Sequence, residues 1–363
     1  MSDISNINFP LIEEKIVLII PAYEPDDRLS ALLEELRKDF HGRIVIVNDG
    51  SGAKYDKYYE TAKDYGCVVL NHFANMGKGR ALKNAFNYCL NEYPGITGCV
   101  TADSDGQHLP EDIYRVMQEL CDNDKCLILG CRDFSHEDVP FRSKLGNGFM
   151  KGACRFMCGV NASDTQTGLR GIPADFMTLL LNTEGERFEF ETRMLLDARD
   201  RYPLKEVIIQ TVYESKENHQ SHYNTFKDSV RIGRILAGVF VKFVISSLSS
   251  TVVDLLIFNA LCPLFKPVTA LYYITIATVI ARVISAVYNY TINYKIVFKS
   301  KDSVGRSAVK YFALALIQMC LSALFTTVGV FLIPILPETL IKAIVDVCLF
   351  FISYGVQRTI VFK

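Results

Sequence analysis

The chain has 363 residues, half of them hydrophobic, and its 39 Lys and Arg against 40 Asp and Glu give a formal net charge of -1. That length suits about two domains, and with this charge balance no nucleic-acid partner is expected. The balance hides a division, because residues 236–363 carry 11 basic against 4 acidic side chains, which leaves 28 against 36 in residues 1–235. The two parts are therefore expected to be different kinds of domain.

Residues 1–235 alternate short apolar segments with amphipathic ones. Five segments rich in Val, Ile and Leu predict buried strands, at residues 16–20, 43–47, 67–70, 98–102 and 126–130. Residues 29–40 and 79–90 lie between them and have the pattern of helices. This alternation predicts an α/β domain with a doubly wound, mostly parallel sheet. Ligands of such sheets bind beyond the carboxyl ends of the strands.

Polar residues follow three of these strands, at residues 21–24, 48–51 and 103–108. The last of these turns reads Asp-Ser-Asp-Gly-Gln-His and offers two carboxylates and an amide. Mg²⁺ and Mn²⁺ favour oxygen ligands, and Mg²⁺ commonly takes one or two carboxylates from the protein together with substrate phosphates. The turn therefore predicts a divalent cation held against a nucleotide diphosphate, with a capped surface turn as the alternative. An EF-hand loop is excluded, because Gly106 is fourth instead of sixth and Tyr114 stands where Glu is required.

Standard nucleotide-binding motifs are absent from the sequence. The segment Gly77-Lys78-Gly79 is not a P-loop, since the residue five before Gly77 is His72 and no Ser or Thr follows the Lys. A Rossmann glycine fingerprint is also missing. Lys78 can still meet a diphosphate, although a solvated Lys at a helix start is the alternative.

Four long apolar segments follow, at residues 236–261, 268–292, 309–336 and 339–354. Each is near the ~20 residues that cross a bilayer, which predicts an all-α domain of four transmembrane helices. Basic residues crowd the link between the second and third segments, namely Lys295, Lys299, Lys301, Arg306 and Lys310. Only Lys266 and Lys342 lie on the other side, so residues 1–235 and both termini of this multi-pass cell-membrane protein are expected in the cytoplasm.

The membrane half also contains an internal repeat. Residues 241–243 (Val-Lys-Phe) correspond to 309–311 (Val-Lys-Tyr), and the segment Ile-Val-Phe-Lys occurs at both 296–299 and 360–363. The pattern indicates two duplicated hairpins, which suit either an anchor or a transporter.

Charged residues lie inside the apolar segments, where a lone ionised group is costly. They are Asp254, Arg282 and Asp346, and we predict that Asp254 pairs with Arg282. Basic amphipathic stretches at residues 141–157 and 226–236 suit helices in the headgroup layer, with a basic solvent face as the alternative.

Several segments resemble family 2 glycosyltransferases of GT-A fold. They are Pro-Ala-Tyr at 21–23, Asn-Asp-Gly-Ser at 48–51, Asn-Met-Gly-Lys-Gly at 75–79 and the acidic turn at 103–108. Gly-Cys-Arg at 130–132, Val-Pro-Phe-Arg at 139–142, the segment 164–170 and Phe-Glu-Phe-Glu at 188–191 are similar to the polyprenyl-phosphate hexosyltransferase branch, which includes dolichyl-phosphate-mannose synthases and GtrB proteins. The membrane half resembles the GtrA family.

The resemblance implies roles for individual residues. Nucleotide-sugar binding would fall to Pro21, Tyr23, Glu24, Val47, Asp49, Lys78, Asp103, Ser104 and Arg170. Asp105 and Gln107 would hold the metal, Mg²⁺ or Mn²⁺. Asp164, Arg132 and Arg142 would be catalytic, with the arginines on phosphate oxygens. Ordinary packing is the alternative for Tyr23, and a solvated surface charge is the alternative for each arginine.

As a whole, the resemblance implies an inverting enzyme that moves a hexose from a UDP- or GDP-sugar to undecaprenyl or dolichyl phosphate at the cytoplasmic membrane face, for glycan or cell-envelope polysaccharide synthesis. The alternative is that the membrane half translocates lipid-linked sugar and the front half feeds it. A processive polysaccharide synthase is excluded, since its Gln-x-x-Arg-Trp segment needs a Trp and the chain has none.

Two departures from the family's pattern limit what the resemblance implies. Asn48 stands where many relatives have Asp, although Asp49 remains. The Gly-x-Ser-Lys-Leu segment of mannose synthases is not evident, so mannose is not implied. Homo-oligomers are left open, as relatives with such anchors often associate.

Overall fold

The computed structural model describes residues 4–132, 148, 151–199, 201–210, 225–267, 272–300, 302–333 and 335–362. The chain divides into two compact units, Met1–Ile235 and Leu236–Lys363. Arg142 and most of the amphipathic stretch 141–157 lie outside the described residues.

Within the described part of the first unit, seven strands form one mixed sheet. They are β1 Ile16–Ala22, β2 Arg43–Asn48, β3 Val68–Asn71, β4 Gly98–Thr101, β5 Leu127–Arg132, β6 Arg170–Pro173 and β7 Leu204–Ile209. The strand order is β3-β2-β1-β4-β6-β5-β7, and only β6 runs antiparallel to its neighbours. This confirms the predicted α/β, GT-A-like architecture and places the carboxyl ends of β1, β2 and β4 at one edge.

Helices cover both faces of this sheet. They are α1 Phe9–Lys15, α2 Asp27–Asp39, α3 Asp56–Asp64, α4 Lys78–Glu92, α5 Pro110–Asp122, α6 Ala174–Leu180 and α7 Glu189–Ala198. Ile16, Leu18 and Ile20 of β1 join a buried cluster with residues of α2 and α5. Val17 and Ile19 are equally buried but point to the opposite face. A strand buried on both sides therefore reads as a continuous apolar run.

Helix α2 shows how the sequence sets a helix locally. Asp26 precedes it as the N-cap, and its carboxylate accepts a hydrogen bond from the backbone N–H of Arg28. The buried leucines of α2 are Leu29, Leu32, Leu33 and Leu36, a spacing that lines one helical face.

Strands β6 and β7 were not predicted. Strand β6 has only four residues, including a Gly and a terminal Pro, so it carries no readable alternation. Strand β7 lies at the sheet edge and alternates poorly, with Lys205 and Glu206 exposed.

The second unit consists of long apolar helices. They are α8 Thr225–Phe265, α9 Tyr273–Ile292, α10 Val304–Leu332 and α11 Glu338–Val356, and α8 begins before the unit boundary. Among the described residues, four segments are long and apolar enough to cross a membrane: Ala237–Phe265, Tyr273–Val297, Val304–Leu332 and Glu338–Val361. The four predicted transmembrane helices are thereby confirmed.

The two hairpins of this unit, α8–α9 and α10–α11, repeat the same contacts. Ser250 Oγ donates to the backbone carbonyl of Ser285 at 3.0 Å. At the equivalent positions of the second hairpin, Gln318 Nε2 donates to the carbonyl of Leu349 at 3.1 Å. The duplication read from the sequence therefore extends to the hydrogen bonds.

The contacts between the hairpins are repeated as well. The ring of Phe243 lies 5.1 Å from that of Tyr354, and Tyr311 lies 5.5 Å from Tyr290. Each pair joins the first helix of one hairpin to the second helix of the other. The two hairpins thus use equivalent surfaces to meet.

The charged residues predicted inside the apolar segments, Asp254, Arg282 and Asp346, each have an ionic partner. Arg282 Nε lies 3.7 Å from Asp254 Oδ1, which is the ion pair that the sequence predicted. Ser285 Oγ also donates to Asp254, at 3.1 Å. Asp346 pairs with Lys342 on its own helix at 3.0 Å, a partner that was not predicted.

Candidate active site

A cavity of about 710 Å³ opens at the carboxyl edge of the sheet, beyond β1, β2 and β4. Its volume is in the range of small-molecule sites. Nine of the predicted site residues line it: Pro21, Tyr23, Asp49, Lys78, Asp103, Ser104, Asp105, Gln107 and Arg132. All of its lining residues belong to the first unit.

The acidic turn begins two residues after β4. The backbone N–H of Gln107 donates to Asp105 Oδ1 at 3.1 Å, and Gly106 between them takes a φ of 72°. This closed turn brings Asp105 and Gln107 to the cavity wall. Burial, followed by the nearby Asp103 carboxylate, raises the pKa of Asp105.

Asp103 is held by a cation and by the absence of a side chain opposite it. Lys78 Nζ lies 2.6 Å from Asp103 Oδ1 and 2.8 Å from Glu191 Oε1. A Cβ at Gly168 would lie 2.2 Å from Asp103 Oδ2, so only glycine fits there. The carbonyl of Gly168 is itself held by Thr101 Oγ1 at 2.8 Å.

The opposite charges in this cluster stabilise the ionised forms of Asp103 and Lys78. Burial raises the pKa of Asp103, but the Lys78 charge and the nearby His108, whose Nε2 lies 3.6 Å from Asp103 Oδ2, outweigh it and hold that pKa well below its usual range. Burial likewise lowers the pKa of Lys78, but Asp103 and Glu191 raise it above its ordinary value. Lys78 is therefore a permanent cation inside the cavity.

Asp49 follows β2 and is almost fully buried. Its Oδ1 accepts hydrogen bonds from His72 Nδ1 at 2.7 Å and from the N–H of Met76 at 2.9 Å. Its Oδ2 accepts from the N–H of Gly77 at 2.8 Å. The carboxylate therefore fastens the loop after β3 to the end of β2.

Arg132 ends β5 and reaches the cavity, with Asp164 behind it. Arg132 Nε lies 2.6 Å from Asp164 Oδ2, and Nη2 lies 3.1 Å from Oδ1. Asp164 is completely buried and also accepts the N–H of Gln166 at 3.1 Å. A two-point contact of this kind fixes the plane of the guanidinium.

Arg170, to which the resemblance assigned nucleotide-sugar binding, does not line the cavity. It is completely buried, and its guanidinium donates to the carbonyls of Thr167 at 2.9 Å, Glu191 at 2.7 Å and Thr165 at 3.3 Å. Arg170 thus ties together two parts of the cavity wall from behind. Its spacing from Gly168 could not reveal this, since one of its partners lies on α7.

Two further predicted residues lie away from the cavity wall. Val47 is wholly buried within β2. Glu24 has a φ of 50°, and its backbone N–H donates to Ser51 Oγ at 2.8 Å. For Val47 the reason is strand alternation, which turns its side chain into the core.

Sequence reasoning missed part of the wall. The additional polar, charged or aromatic lining residues are Arg28, Asn75, Thr165, Gln166, Arg187, Phe188, Glu191 and Thr192. For Phe188, Glu191 and Thr192, the only sequence signal was the Phe-Glu-Phe-Glu segment at 188–191. Arg28 lies on α2, whereas Asn75, Thr165, Gln166 and Arg187 lie on loops that carry no periodic pattern.

A hard divalent cation fits the donors of the acidic turn. Within the described residues, no group of three or more His, Cys, Asp and Glu could hold a metal ion alone. Mg²⁺ does not need such a group, because it commonly takes one or two carboxylates, substrate phosphates and water. The carboxylate of Asp105 and the amide oxygen of Gln107 suit that mode of binding.

Comparisons with known proteins agree with this architecture. Residues 17–176 match Glycosyl transferase family 2, and residues 242–362 match the GtrA/DPMS transmembrane domain. An uncharacterized protein of Methanocaldococcus jannaschii is 29% identical over 217 residues, covering 58% of this chain and 86% of that protein.

A UDP-N-acetylglucosamine–dolichyl-phosphate N-acetylglucosaminyltransferase of Methanococcus voltae is 27% identical over 229 residues, 56% of this chain and 88% of the relative. Among solved structures, glucosyl-3-phosphoglycerate synthase from Mycobacterium tuberculosis aligns with a TM-score of 0.49 and 14% identity, covering 64% of this chain and 84% of that one.

Residues 17–176 are a glycosyl transferase family 2 domain and residues 242–362 are a GtrA/DPMS transmembrane domain, so the protein is a membrane-bound glycosyltransferase. Within that family it is related to dolichyl-phosphate and undecaprenyl-phosphate glycosyltransferases.

Proposed function

We propose that this enzyme transfers a hexose, with inversion, from a UDP- or GDP-sugar to a polyprenyl phosphate. The observation that carries the proposal is the composition of the cavity, which places the acidic turn beside two cations, Lys78 and Arg132. Both substrates are anions, so a site for them must supply positive charge. The transmembrane unit holds the same chain where a lipid acceptor resides.

The nucleotide base is assigned to the end of β2. A carboxylate has about four lone-pair positions, and Asp49 already accepts three hydrogen bonds. The position that remains suits a ring N–H, which uracil and guanine have and which adenine and cytosine lack at the pairing edge. Tyr23 supplies an aromatic surface in the same wall.

Asp105 and Gln107 are assigned to Mg²⁺ or Mn²⁺, with Asp103 on the nucleotide. A divalent cation held by these two side chains would stabilise the negative charge that grows on the departing nucleoside diphosphate. Lys78, whose Nζ lies 2.6 Å from Asp103 Oδ1, is assigned to stabilise the same negative charge.

The reaction itself needs little proton transfer. A phosphate monoester has a second pKa near ~6, so the lipid phosphate is mostly dianionic at neutral pH. One of its oxygens forms the new bond to the anomeric carbon while the bond to the diphosphate breaks, which inverts that carbon. Arg132, fixed by Asp164, is assigned to orient the acceptor phosphate.

A donor screen tests this function. Purified full-length protein is incubated with Mg²⁺ or Mn²⁺, each nucleotide sugar, and undecaprenyl or dolichyl phosphate, and the lipid product is identified by mass. We expect one UDP- or GDP-sugar to give a lipid-linked hexose and Asp105→Ala to abolish it. Transfer that survives Asp105→Ala would remove the metal assignment, and no product with any donor would remove the function.

The catalytic unit and both termini are proposed to face the cytoplasm. The charge pattern supports this orientation, because the link before α10 and the first two turns of α10 are rich in Lys and Arg whereas Lys266 and Lys342 stand on the other side. Fusions of a fluorescent protein and of alkaline phosphatase to the C-terminus measure it directly. Only the fluorescent fusion should be active.

A further inference from the structure

A chain of side chains leads from α4 to the carboxylate at the nucleotide end of the cavity. Asn84 Nδ2 lies 2.8 Å from His72 Nε2, and His72 Nδ1 lies 2.7 Å from Asp49 Oδ1. The side chains of His72 and Asp49 are 6% and 5% exposed, so water does not compete for this contact. Asp49 lines the cavity, whereas His72 and Asn84 lie behind it.

The chemistry of the three groups fixes where the proton sits. An amide nitrogen can only donate, so Asn84 Nδ2 makes His72 Nε2 the acceptor. The ring proton is then on Nδ1, which donates to Asp49. Asn84 therefore selects the histidine tautomer that binds the carboxylate.

The geometry also shows what His72 adds to the loop contacts. The other donors to Asp49 are the backbone N–H groups of Met76 and Gly77, which are neighbours in one loop. His72 reaches the carboxylate from the end of β3 instead. With donors from two directions, the carboxylate cannot rotate, and its remaining lone pair keeps one direction.

We propose that His72, set by Asn84, is a positioning residue that aims Asp49 at the base of the donor nucleotide; the inference rests on the proposed function. Neither residue touches the reacting atoms. Their loss should weaken nucleotide binding equally in the ground state and the transition state, which raises KM and leaves kcat nearly unchanged.

The test uses full-length enzyme and three variants. His72→Leu removes the donor, Asn84→Leu removes the group that sets the tautomer, and His72→Asn keeps an N–H donor near the position of Nδ1. His41→Leu is the matched control, because His41 lies at the opposite edge of the sheet. For each variant, the experiment measures KM for the nucleotide sugar, kcat, the Kd of the nucleoside diphosphate without acceptor, and the thermal midpoint.

We expect His72→Leu to raise both KM and Kd about tenfold or more, the usual effect of losing a hydrogen bond to a charged group. Asn84→Leu should raise them by a smaller factor, and His72→Asn should restore most of the loss. The kcat values should stay within about twofold of the parent, and His41→Leu should change nothing.

The proposal is overturned if His72→Leu leaves KM and Kd unchanged, or if His72→Asn binds as poorly as His72→Leu. If His72→Leu does not fold, Asn84→Leu and His72→Asn decide the matter by the same two constants. If the parent enzyme transfers sugar and all variants have its KM and Kd, only this inference is refuted. A parent that binds no nucleoside diphosphate refutes the proposed function as well.

Discussion

At the scale of single residues, the absence of a side chain at Gly168 leaves room for the Asp103 carboxylate. A Cβ there would lie 2.2 Å from Asp103 Oδ2, so Gly168→Ala must move Asp103 or its own loop. A displacement of about 1 Å at a catalytic group can cost about 10²-fold in rate. We expect kcat/KM to fall by that order while the thermal midpoint changes little.

Gly305→Ala is the control for this change, because an added Cβ at Gly305 meets no atom within 4 Å. It should leave kcat/KM at the parent value. Unchanged activity of Gly168→Ala would show that the Asp103 position is not critical.

The pair Arg132 and Asp164 allows a second test at this scale. Both oxygens of Asp164 are used to hold Arg132, which argues that Asp164 acts through that arginine. In a double-mutant cycle with Arg132→Ala and Asp164→Ala, the second substitution should then cost nothing further in kcat/KM. An additional loss in the double variant would indicate that Asp164 also acts directly on substrate.

At the residue scale, the sequence indicated which side chains would meet at one edge of the sheet. The acidic turn was found because it follows a buried apolar run, and strand ends meet at one edge. Arg132 and Arg170 looked alike in sequence, yet one lines the cavity and the other lies beneath it. The difference arises from contacts with α7, which no local pattern contains.

At the scale of elements, the short antiparallel strand β6 organises the wall that the sequence did not reveal. It inserts between β4 and β5 and so carries the preceding loop to the cavity. Arg170, its first residue, ties that loop to α7. Four residues with a Gly and a Pro gave no strand signal, so the wall could not be predicted.

Arg170→Met should therefore act on stability. It leaves the carbonyls of Thr165, Thr167 and Glu191 without their donor, at about 1–3 kcal/mol for each unsatisfied group. We expect the thermal midpoint, followed by circular dichroism, to fall by about 6 °C or more. Arg170→Lys, which keeps the charge with fewer donors, should be intermediate. A midpoint equal to that of the parent would contradict the assignment of Arg170 as a structural tie.

At the scale of the whole molecule, the candidate site and the membrane-spanning segments lie in different units. Every residue that lines the cavity belongs to the first unit, and in the described part of the chain each segment able to span a membrane begins at Ala237 or later. The sequence predicted these four helices because an apolar segment of about 20 residues is long enough to span a bilayer as a helix.

A fragment of residues 1–240 should thus bind the nucleoside diphosphate with a Kd within about threefold of the full chain. It should lose most transfer to a polyprenyl phosphate embedded in vesicles, since the effective concentration of acceptor falls when the enzyme leaves the membrane. Calorimetry and product mass measure the two properties. Loss of nucleotide binding in a folded fragment would show that the second unit contributes to the donor site.

The duplication of the hairpins restricts which hydrogen-bonding side chains can occupy the contact between them. Asn293 and Gln357 stand at equivalent positions and bind each other at 3.1 Å. In a symmetric pair such a position meets its own copy, so a side chain that hydrogen-bonds there must both donate and accept, as an amide does. Joining the hairpins in one chain lifts that restriction elsewhere, where Asp254 and Arg282 of one hairpin correspond to Ser322 and Asp346 of the other. Because the two hairpins belong to one chain, equivalent positions can carry chemically different side chains.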